Sequence, residues 1–308
     1  MKLRSKDLLG IGDLTTEEIS LILDTAVDMK KIVNSGMKKS NYLQGRTVMT
    51  LFYENSTRTR VSFELAAKYL GAQAVNVAVA SSSVAKGETL VDTGRTLDVM
   101  GTDILIIRHS SSGAPHHLAK NVKASVINAG DGMHEHPTQA LLDLFTMREV
   151  FGTVKGLKVA IIGDVLHSRV ARSNILCLTK MGASVRVYGP TTLMAPGIGL
   201  MGAAECDSIE EAVAGADVIM ALRLQMERQK KALFPSAAEY ARFFGLNPGN
   251  VSGAKPGAIW MHPGPMNRGV EIPTVMADGP QSVIDTQVTN GVAVRMAILY
   301  LLTGREEH

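Results

Sequence analysis

Ser56-Thr57-Arg58-Thr59-Arg60 decides the fold, because this stretch joins two different hydrophobic patterns. The run before it, residues 47–53, is apolar and β-prone, which predicts a buried strand. The stretch after it, residues 61–70, has helical periodicity and ends at Gly71, a typical residue just beyond a helix. The sequence therefore predicts a strand, a short polar turn and the start of a helix.

The same turn is chemically suited to an anion. A helix start leaves backbone N–H groups without intrahelical acceptors and carries the positive end of the helix dipole. Arginine in a first turn is disfavoured by about 0.3–1 kcal/mol, so two arginines make sense where an anion completes the site. Arginine binds phosphate or carboxylate through two parallel hydrogen bonds. The alternative is a Ser-capped helix whose arginines point into water, and the sequence favours the oxyanion site.

Length and composition limit the class of protein. The 308 residues are enough for two domains, and 45% hydrophobic with 20% charged residues argues for a large core and against disorder. The net charge of +3 comes from scattered basic residues, so we expect no nucleic-acid partner. No signal-peptide core and no apolar run of membrane-spanning length occurs, and Cys177 and Cys206 have no metal or redox spacing. We expect a cytoplasmic protein without a membrane partner.

Strand and helix patterns alternate in both halves of the chain, which predicts parallel sheets with helices on both faces. The predicted strands are residues 47–53, 74–80, 103–107, 125–128, 157–162, 183–188, 217–222 and 258–261. We expect an α/β fold of two doubly wound parallel-sheet domains with a cleft between them. Residues 1–136 with 287–308 form the predicted first domain, because an amphipathic C-terminal helix could return to it, and residues 137–286 form the second.

Polar groups follow the carboxyl ends of these strands, where ligands bind in open α/β sheets. They are Arg58, Lys86, Arg108, His136, Arg169, Arg223 and Pro265. So many cations suit anionic substrates, one of which supplies the nucleophile. His136 stands beside a helix start, where the local field favours a neutral imidazole that donates to a carbonyl oxygen.

Two other functional classes have weaker support in the sequence. His134 and His136 could be metal ligands, but no third ligand stands out by spacing, and we expect His116 and His117 to be surface groups. The chain has neither a GxGxxG nor a P-loop motif. A nucleotide-dependent oxidoreductase therefore rests only on the strand and turn of residues 157–164.

Five motifs, in order, resemble those of the carbamoyltransferases. They are Phe52-Tyr53-Glu54-Asn55-Ser56-Thr57-Arg58-Thr59-Arg60, Lys86-Gly87-Glu88-Thr89, Arg108-His109, His136-Pro137-Thr138-Gln139 and His262-Pro263-Gly264-Pro265. The resemblance covers nearly the whole chain. The ornithine branch would carry a cysteine in an H-C-L-P loop near position 262, whereas residues 141–146 and 266–272 here are similar to the bacterial aspartate branch.

The resemblance implies transfer of the carbamoyl group from carbamoyl phosphate to L-aspartate, giving N-carbamoyl-L-aspartate and phosphate in pyrimidine synthesis. An ornithine or other amino-acid carbamoyltransferase is one alternative. A catalytically silent anion-binding assembly chain is another, although the intact set Arg58, Lys86, Arg108, His136 and Arg223 argues against it.

The resemblance also implies a role for each site residue. The phosphate would be held by Ser56, Thr57, Arg58 and Thr59, and the carbamoyl group would be contacted by Arg108, His136, Gln139 and the carbonyls near Gly264 and Pro265. The aspartate carboxylates would be bound by Arg169, Arg223 and Gln225, and Glu54 would support arginines. Catalysis would rest on Arg58, Thr59, Lys86, Arg108, His136 and Gln139.

Two of the implied residues would act across a subunit boundary. Ser82 would reach the carbamoyl phosphate bound by a neighbouring chain. Lys86 would reach both the carbamoyl phosphate and the L-aspartate bound there. The resemblance therefore implies a homotrimer with shared sites and no metal or organic cofactor. A regulatory chain or a dihydroorotase stays open as a further partner.

Overall fold

The chain divides into two compact units. In the computed structural model, which describes residues 2–77, 87–225 and 236–303, one unit is Met1–Phe145 with Val288–His308 and the other is Thr146–Gln287. The division falls inside a helix, after Phe145, whereas the sequence analysis put the change at that helix's start. Each unit contains one parallel sheet, so the predicted α/β class with two parallel-sheet domains is confirmed.

The first unit is built on a four-stranded sheet in the order β2-β1-β3-β4. Its elements are α1 (Thr16–Asn34), β1 (Thr47–Phe52), α2 (Thr57–Tyr69), β2 (Gln73–Val77), α3 (Leu90–Val99), β3 (Ile104–His109), α4 (Ala114–Ala119), β4 (Ser125–Asp131) and most of α5 (Pro137–Phe151). β4 continues beyond the predicted 125–128, because a register shift after Ile107 lets Asp131 pair with His109.

The first helix shows how local sequence sets an element boundary. Thr15 caps α1, since its hydroxyl accepts from the Glu18 backbone N–H at 3.2 Å and the Glu18 carboxylate accepts from the Thr15 N–H at 3.0 Å. The same carboxylate accepts from the Arg4 N–H at 2.8 Å. Burial acts to raise the pKa of Glu18, but these backbone hydrogen bonds outweigh it and hold the pKa below its ordinary value.

The second unit has a five-stranded sheet in the order β7-β6-β5-β8-β9. Its elements are the end of α5, β5 (Lys158–Ile162), α6 (Arg169–Lys180), β6 (Ser184–Tyr188), β7 (Ala203–Glu205), α7 (Ile209–Val213), β8 (Val218–Ala221), α8 (Ala237–Phe244), β9 (Ile259–Met261), α9 (Thr274–Ala277) and the first turn of α10 (Ile284–Thr303). The sequence analysis missed the short elements β7, α8 and α9.

Apolar strands supply the core of each unit. Leu51, Leu105 and Ile107 are fully buried in the first unit, and Ala160 and Ile219 are fully buried in the second. Burying one such leucine or isoleucine side chain contributes about 1.5–3 kcal/mol relative to its exposure. The central strands of each sheet are buried at consecutive positions, so polar loops collect where the carboxyl ends of the strands meet the surface.

The C-terminal helix is buried on every side rather than amphipathic, so that part of the prediction was wrong. Residues 293–299 of α10 are all buried, including the cation Arg295. As predicted, the helix belongs with the first unit from Val288 onward, and Arg295 donates to Ser62 Oγ at 2.9 Å and lies over the Phe63 ring. Within the described residues, no helix has both the length and the apolar character required to cross a bilayer.

Candidate active site

The turn between β1 and α2 has the composition of an anion site in the folded chain. Ser56 precedes α2 in an extended conformation, and its hydroxyl does not cap the helix. The first turn contains no acidic residue, so no carboxylate of its own offsets the positive helix end. Thr57 and Arg58 are exposed and Thr59 is buried. An anion could therefore reach the turn from solvent on the side of Thr57 and Arg58.

Arg108 joins the neighbouring strand to this turn. β1 and β3 are adjacent, and the pairing of Phe52 with Arg108 places the guanidinium beside the end of β1. Its Nη1 donates to Ser56 Oγ at 3.2 Å and lies 3.5 Å from Thr59 Oγ1, while its Nε lies 3.3 Å from Glu54 Oε2. Ser56, Thr59 and Arg108 are thus in direct contact, and Glu54 supports the arginine.

The loop between β4 and α5 positions His136. Asp131 and Glu135 pair across the loop, with the Asp131 N–H donating to the Glu135 carbonyl at 3.1 Å. Glu135 is buried, and its Oε2 accepts from the Ile11 N–H at 2.9 Å. His136 is only 4% exposed, and its carbonyl accepts from the Gln139 N–H at 3.0 Å in the first turn of α5. The loop therefore places His136 at the start of α5 and Gln139 in the first turn of that helix.

The Gln139 amide has a defined orientation. Its Nε2 donates to Asp143 Oδ1 at 2.9 Å, so its Oε1 is the end left to accept from a ligand N–H. Asp143 is fully buried and acts electrostatically on Arg295. Burial lowers the pKa of Arg295 to about 10, and the Asp143 carboxylate offsets part of that shift. Because a carboxylate accepts and never donates, Asp143 selects one of the two orientations of the amide.

In the second unit, one buried carboxylate connects two of the predicted loops. Asp164 follows β5 and accepts from the His167 N–H at 3.1 Å and from the His167 ring at 2.9 Å. Its Oδ2 also accepts from the Gln225 N–H, in the loop after β8, at 3.3 Å. Arg169 is the buried first residue of α6, and Arg223 is half-buried after β8. Asp164 therefore brings the loop that leads to Arg169 next to the loop that carries Arg223 and Gln225.

The loop after β9 is held by a second buried carboxylate. Glu271 Oε1 lies 3.1 Å from His262 Nε2 and accepts from the Asn267 N–H at 2.6 Å. The His262 Nδ1 accepts from the Gly264 N–H at 2.8 Å, so Nε2 carries the proton that is donated to Glu271. The His262 N–H donates to Gln287 Oε1 at 3.0 Å. Both ring nitrogens of His262 are therefore used to shape the loop that presents Gly264 and Pro265.

The sequence analysis gave no role to Asp143, Asp164 or Glu271, the carboxylates that fix these loops. Asp143 had a local signal, because a residue four positions after Gln139 on a helix lies beside it. Asp164 has a local partner in His167, but nothing in the sequence indicated its bond to Gln225, which is 61 residues away. Two predicted residues, Ser82 and Lys86, lie outside the described part of the chain.

A separate group of side chains has the donor types that bind metals. Within the described ranges, His116, Asp131 and His134 bring three metal-binding donor atoms close together. Burial acts to raise the pKa of Asp131, but hydrogen bonds from His134, Gly113 and Asn128 outweigh it and hold the pKa below its ordinary value. None of the three was predicted to bind substrate, although His134 precedes His136 by two positions.

Two family models together match nearly the whole chain. The model described as "Aspartate/ornithine carbamoyltransferase, carbamoyl-P binding domain" matches residues 6–149. The model described as "Aspartate/ornithine carbamoyltransferase, Asp/Orn binding domain" matches residues 155–302. The division between the models agrees with the presence of two compact units.

Similar curated proteins are named for aspartate. The aspartate carbamoyltransferase catalytic subunit of Ruminiclostridium cellulolyticum is 65% identical over 99% of this chain and 97% of its own length. The aspartate carbamoyltransferase catalytic subunit of Acetivibrio thermocellus is 63% identical over 99% of this chain and 98% of its own length.

Similar solved structures include both branches of the family. Aspartate transcarbamoylase from Trypanosoma cruzi with N-(phosphonacetyl)-L-aspartic acid has a TM-score of 0.88 and 33% identity, covering 97% of this chain and 96% of that one. Ornithine carbamoyltransferase from Thermus thermophilus has a TM-score of 0.86 and 26% identity, covering 98% and 100%. Backbone similarity therefore does not separate the branches, whereas the curated relatives at 63–65% identity are named for aspartate.

Proposed function

The chain belongs to the aspartate/ornithine carbamoyltransferase family, and we propose that each of its units binds one substrate of a carbamoyl transfer. The chain is an enzyme that transfers the carbamoyl group from carbamoyl phosphate to the amino group of L-aspartate, giving N-carbamoyl-L-aspartate and phosphate. The observation that carries this function is the near-full-length identity to catalytic subunits named for aspartate. The reaction is a step of pyrimidine synthesis.

Carbamoyl phosphate is the substrate of the first unit. Its phosphate would accept hydrogen bonds from the start of α2 and from the side chains of Ser56, Thr57, Arg58 and Thr59. Arg108 would add a contact, because its guanidinium already lies beside Ser56 and Thr59. The neighbouring chain would add Ser82 and Lys86. These positive groups oppose the charge that develops on phosphate as it leaves.

The carbamoyl group would lie against the first turn of α5. A donor from His136 to the carbamoyl oxygen would stabilise the tetrahedral oxyanion, and removing one such donor typically costs about 3 kcal/mol of transition-state stabilisation. Gln139 would accept from the carbamoyl nitrogen, because Asp143 already occupies its Nε2. The buried position of His136 excludes bulk water from that contact.

L-Aspartate is the substrate of the second unit. Two carboxylates need cationic partners, and Arg169, Arg223 and Gln225 follow two adjacent strands whose loops Asp164 joins. Lys86 of the neighbouring chain would be a further cation. Backbone carbonyls near Gly264 and Pro265 would accept from the attacking amine and the carbamoyl nitrogen. The side chains thus position and neutralise two anions, while the nucleophile belongs to the substrate.

The chemistry is a single acyl-type transfer. A bond forms between the aspartate nitrogen and the carbamoyl carbon, and the bond from that carbon to the phosphate oxygen breaks. The amine proton goes to the departing phosphate, which is the nearest strong base. No protein nucleophile is required, and this agrees with a site made of guanidinium, imidazole and amide groups.

The assembly that we propose is a homotrimer in which each site uses residues from two chains. The support is the family resemblance of Ser82 and Lys86, and a regulatory chain or dihydroorotase would be an additional partner. We propose the cytoplasm as the compartment, because Cys177 and Cys206 are both free thiols. The shared site makes oligomer formation a condition for activity rather than an accessory to it.

An assay of phosphate release from carbamoyl phosphate tests the function. The rate is measured with L-aspartate and with L-ornithine at equal concentrations, and we expect release to depend on aspartate. Release that depends on ornithine alone would assign the chain to the other branch. If neither amino acid causes phosphate release, and calorimetry shows that carbamoyl phosphate binds, the chain is a catalytically silent anion-binding chain.

A further inference from the structure

Three metal-binding side chains converge beside the loop that leads to His136. His116 is on α4, Asp131 ends β4 and His134 lies in the following turn. One donor atom from each lies within 4.8 Å of the other two. We propose that His116, Asp131 and His134 form a binding site for a divalent transition-metal ion of the Zn²⁺ type.

Asp131 is already oriented as a ligand would be. Its side chain is fully buried, and Oδ1 accepts from Asn128 Nδ2 at 2.8 Å and from the Glu135 N–H at 3.1 Å. Oδ2 accepts from the Gly113 N–H at 2.7 Å and lies 3.0 Å from His134 Nδ1. Outer hydrogen bonds of this kind fix the direction of a ligating carboxylate. An ion between Oδ2 and His134 Nδ1 would replace the proton that Nδ1 donates, and the other three hydrogen bonds would hold the carboxylate in place.

The imidazoles of His116 and His134 are placed to join Asp131 as metal ligands. Their ring centroids are 5.7 Å apart and their planes are inclined at 58°, so the rings are not stacked on each other. His116 Nδ1 is buried and, among the described residues, has no hydrogen-bond partner. A buried polar atom in that condition costs about 1–3 kcal/mol. Binding of an ion by His116 would therefore engage an imidazole that the fold leaves available.

The spacing suits one small ion. Ligand atoms around tetrahedral Zn²⁺ are about 3.3 Å apart when each bond is about 2.0–2.1 Å long. The contact between Asp131 and His134 is already close to that spacing, and side-chain rotation can bring His116 from within 4.8 Å. With three protein ligands, the fourth position would be left to water.

The donor set also selects the class of ion. Two imidazole nitrogens with one carboxylate favour Zn²⁺, Co²⁺, Ni²⁺ or Cu²⁺ over Mg²⁺ and Ca²⁺, which prefer sites made only of oxygen. The inference does not rest on the proposed reaction, because none of the three residues has a role in it. An ion at this position would connect α4 to the loop between β4 and α5.

Zn²⁺ binding to the full chain, purified without a polyhistidine tag and stripped with chelator, tests the site. Zn²⁺ is titrated in competition with a chromogenic chelator, and we expect one tight site per chain. His116→Ala and His134→Ala should each weaken it about tenfold or more. His117→Ala is the matched control, because His117 is an exposed histidine next to His116, and it should bind Zn²⁺ as the wild type does.

A second readout reports on the fold rather than on affinity. Saturating Zn²⁺ should raise the unfolding temperature of the wild type and of His117→Ala, and leave that of His134→Ala unchanged. The His134 side chain is 42% exposed, so its replacement should not prevent folding. Equal Zn²⁺ affinity in the wild type and both site variants would overturn the proposal, and so would an equal loss in His117→Ala.

Discussion

Replacing Arg58 by alanine tests whether the start of α2 binds the phosphate of the substrate. Arg58 is exposed in a first turn without acidic residues, where the helix dipole disfavours a cation by about 0.3–1 kcal/mol. Its removal should leave the free energy of unfolding within about 0.5 kcal/mol of the wild type, or slightly raise it. Loss of two charge-assisted hydrogen bonds, each worth about 1.5–3 kcal/mol, should lower kcat/KM for carbamoyl phosphate about 10²–10⁴-fold.

Lys68→Ala is the matched control, because Lys68 is an exposed cation in the last turn of the same helix, at the end opposite the anion site. It removes the same charge, and its kcat/KM should stay within about threefold of the wild type, since surface substitutions have small effects. Both variants are measured by steady-state phosphate release with carbamoyl phosphate varied at saturating L-aspartate, and by urea unfolding. Equal kinetics for the two variants would refute the reasoning. A loss in Arg58→Ala that only follows the loss of folded protein would refute it too.

Three further predictions concern the orientation of the amide, the shared site and the helix cap. Asp143→Asn should lower kcat/KM for carbamoyl phosphate about ten- to hundredfold, because an amide no longer imposes one orientation on Gln139; unchanged steady-state kinetics would contradict this. Mixing inactive Lys86→Ala and Arg58→Ala chains should restore activity at about a quarter of the sites if each site spans two chains of a trimer, and no recovery in mixed trimers verified by native mass spectrometry would argue against sharing. Glu18→Gln should lower the free energy of unfolding by about 1 kcal/mol at pH 7. Because the pKa of Glu18 is lowered in the folded chain, the difference in stability between wild type and variant should be complete above the ordinary pKa of 4.5 and vanish as the pH falls through the folded pKa. Urea unfolding of both proteins between pH 3 and 7 measures this difference.

The parts of the fold with strong local patterns could be predicted from the sequence. β1 and α2 have the predicted order, because a strand period and a helix period meet at Ser56 and Gly71 follows the helix with φ of +83°. The short strand β7 was missed, since three residues at the edge of a sheet carry too little hydrophobic signal. α10 was expected to be amphipathic, but nearly all of its central residues are apolar, so no polar face existed to indicate how it packs.

From the sequence we could name candidate side chains that would contact a ligand, but not the side chains that orient these residues. Arg108 stands out in the sequence because a cation at the end of an apolar strand is unusual. Its contact with Ser56 depends on the pairing of β1 with β3, which no local pattern specifies. The bond from Gln225 to Asp164 was missed for the same reason, because it joins loops 61 residues apart. Glu271 was missed although His262 is nine residues away, since the irregular loop between them has no periodicity that brings the two side chains together.

The anchoring of the loop after β9 has a consequence for redesign of amino-acid specificity. The Glu271 carboxylate accepts hydrogen bonds from the His262 imidazole and from the Asn267 backbone N–H, so one side chain holds both His262 and Asn267 in this loop. A graft of residues 262–266 whose first residue is not histidine would leave this acid buried without its imidazole. A redesign that exchanges residues 262–266 should therefore exchange the whole segment from His262 through Glu271.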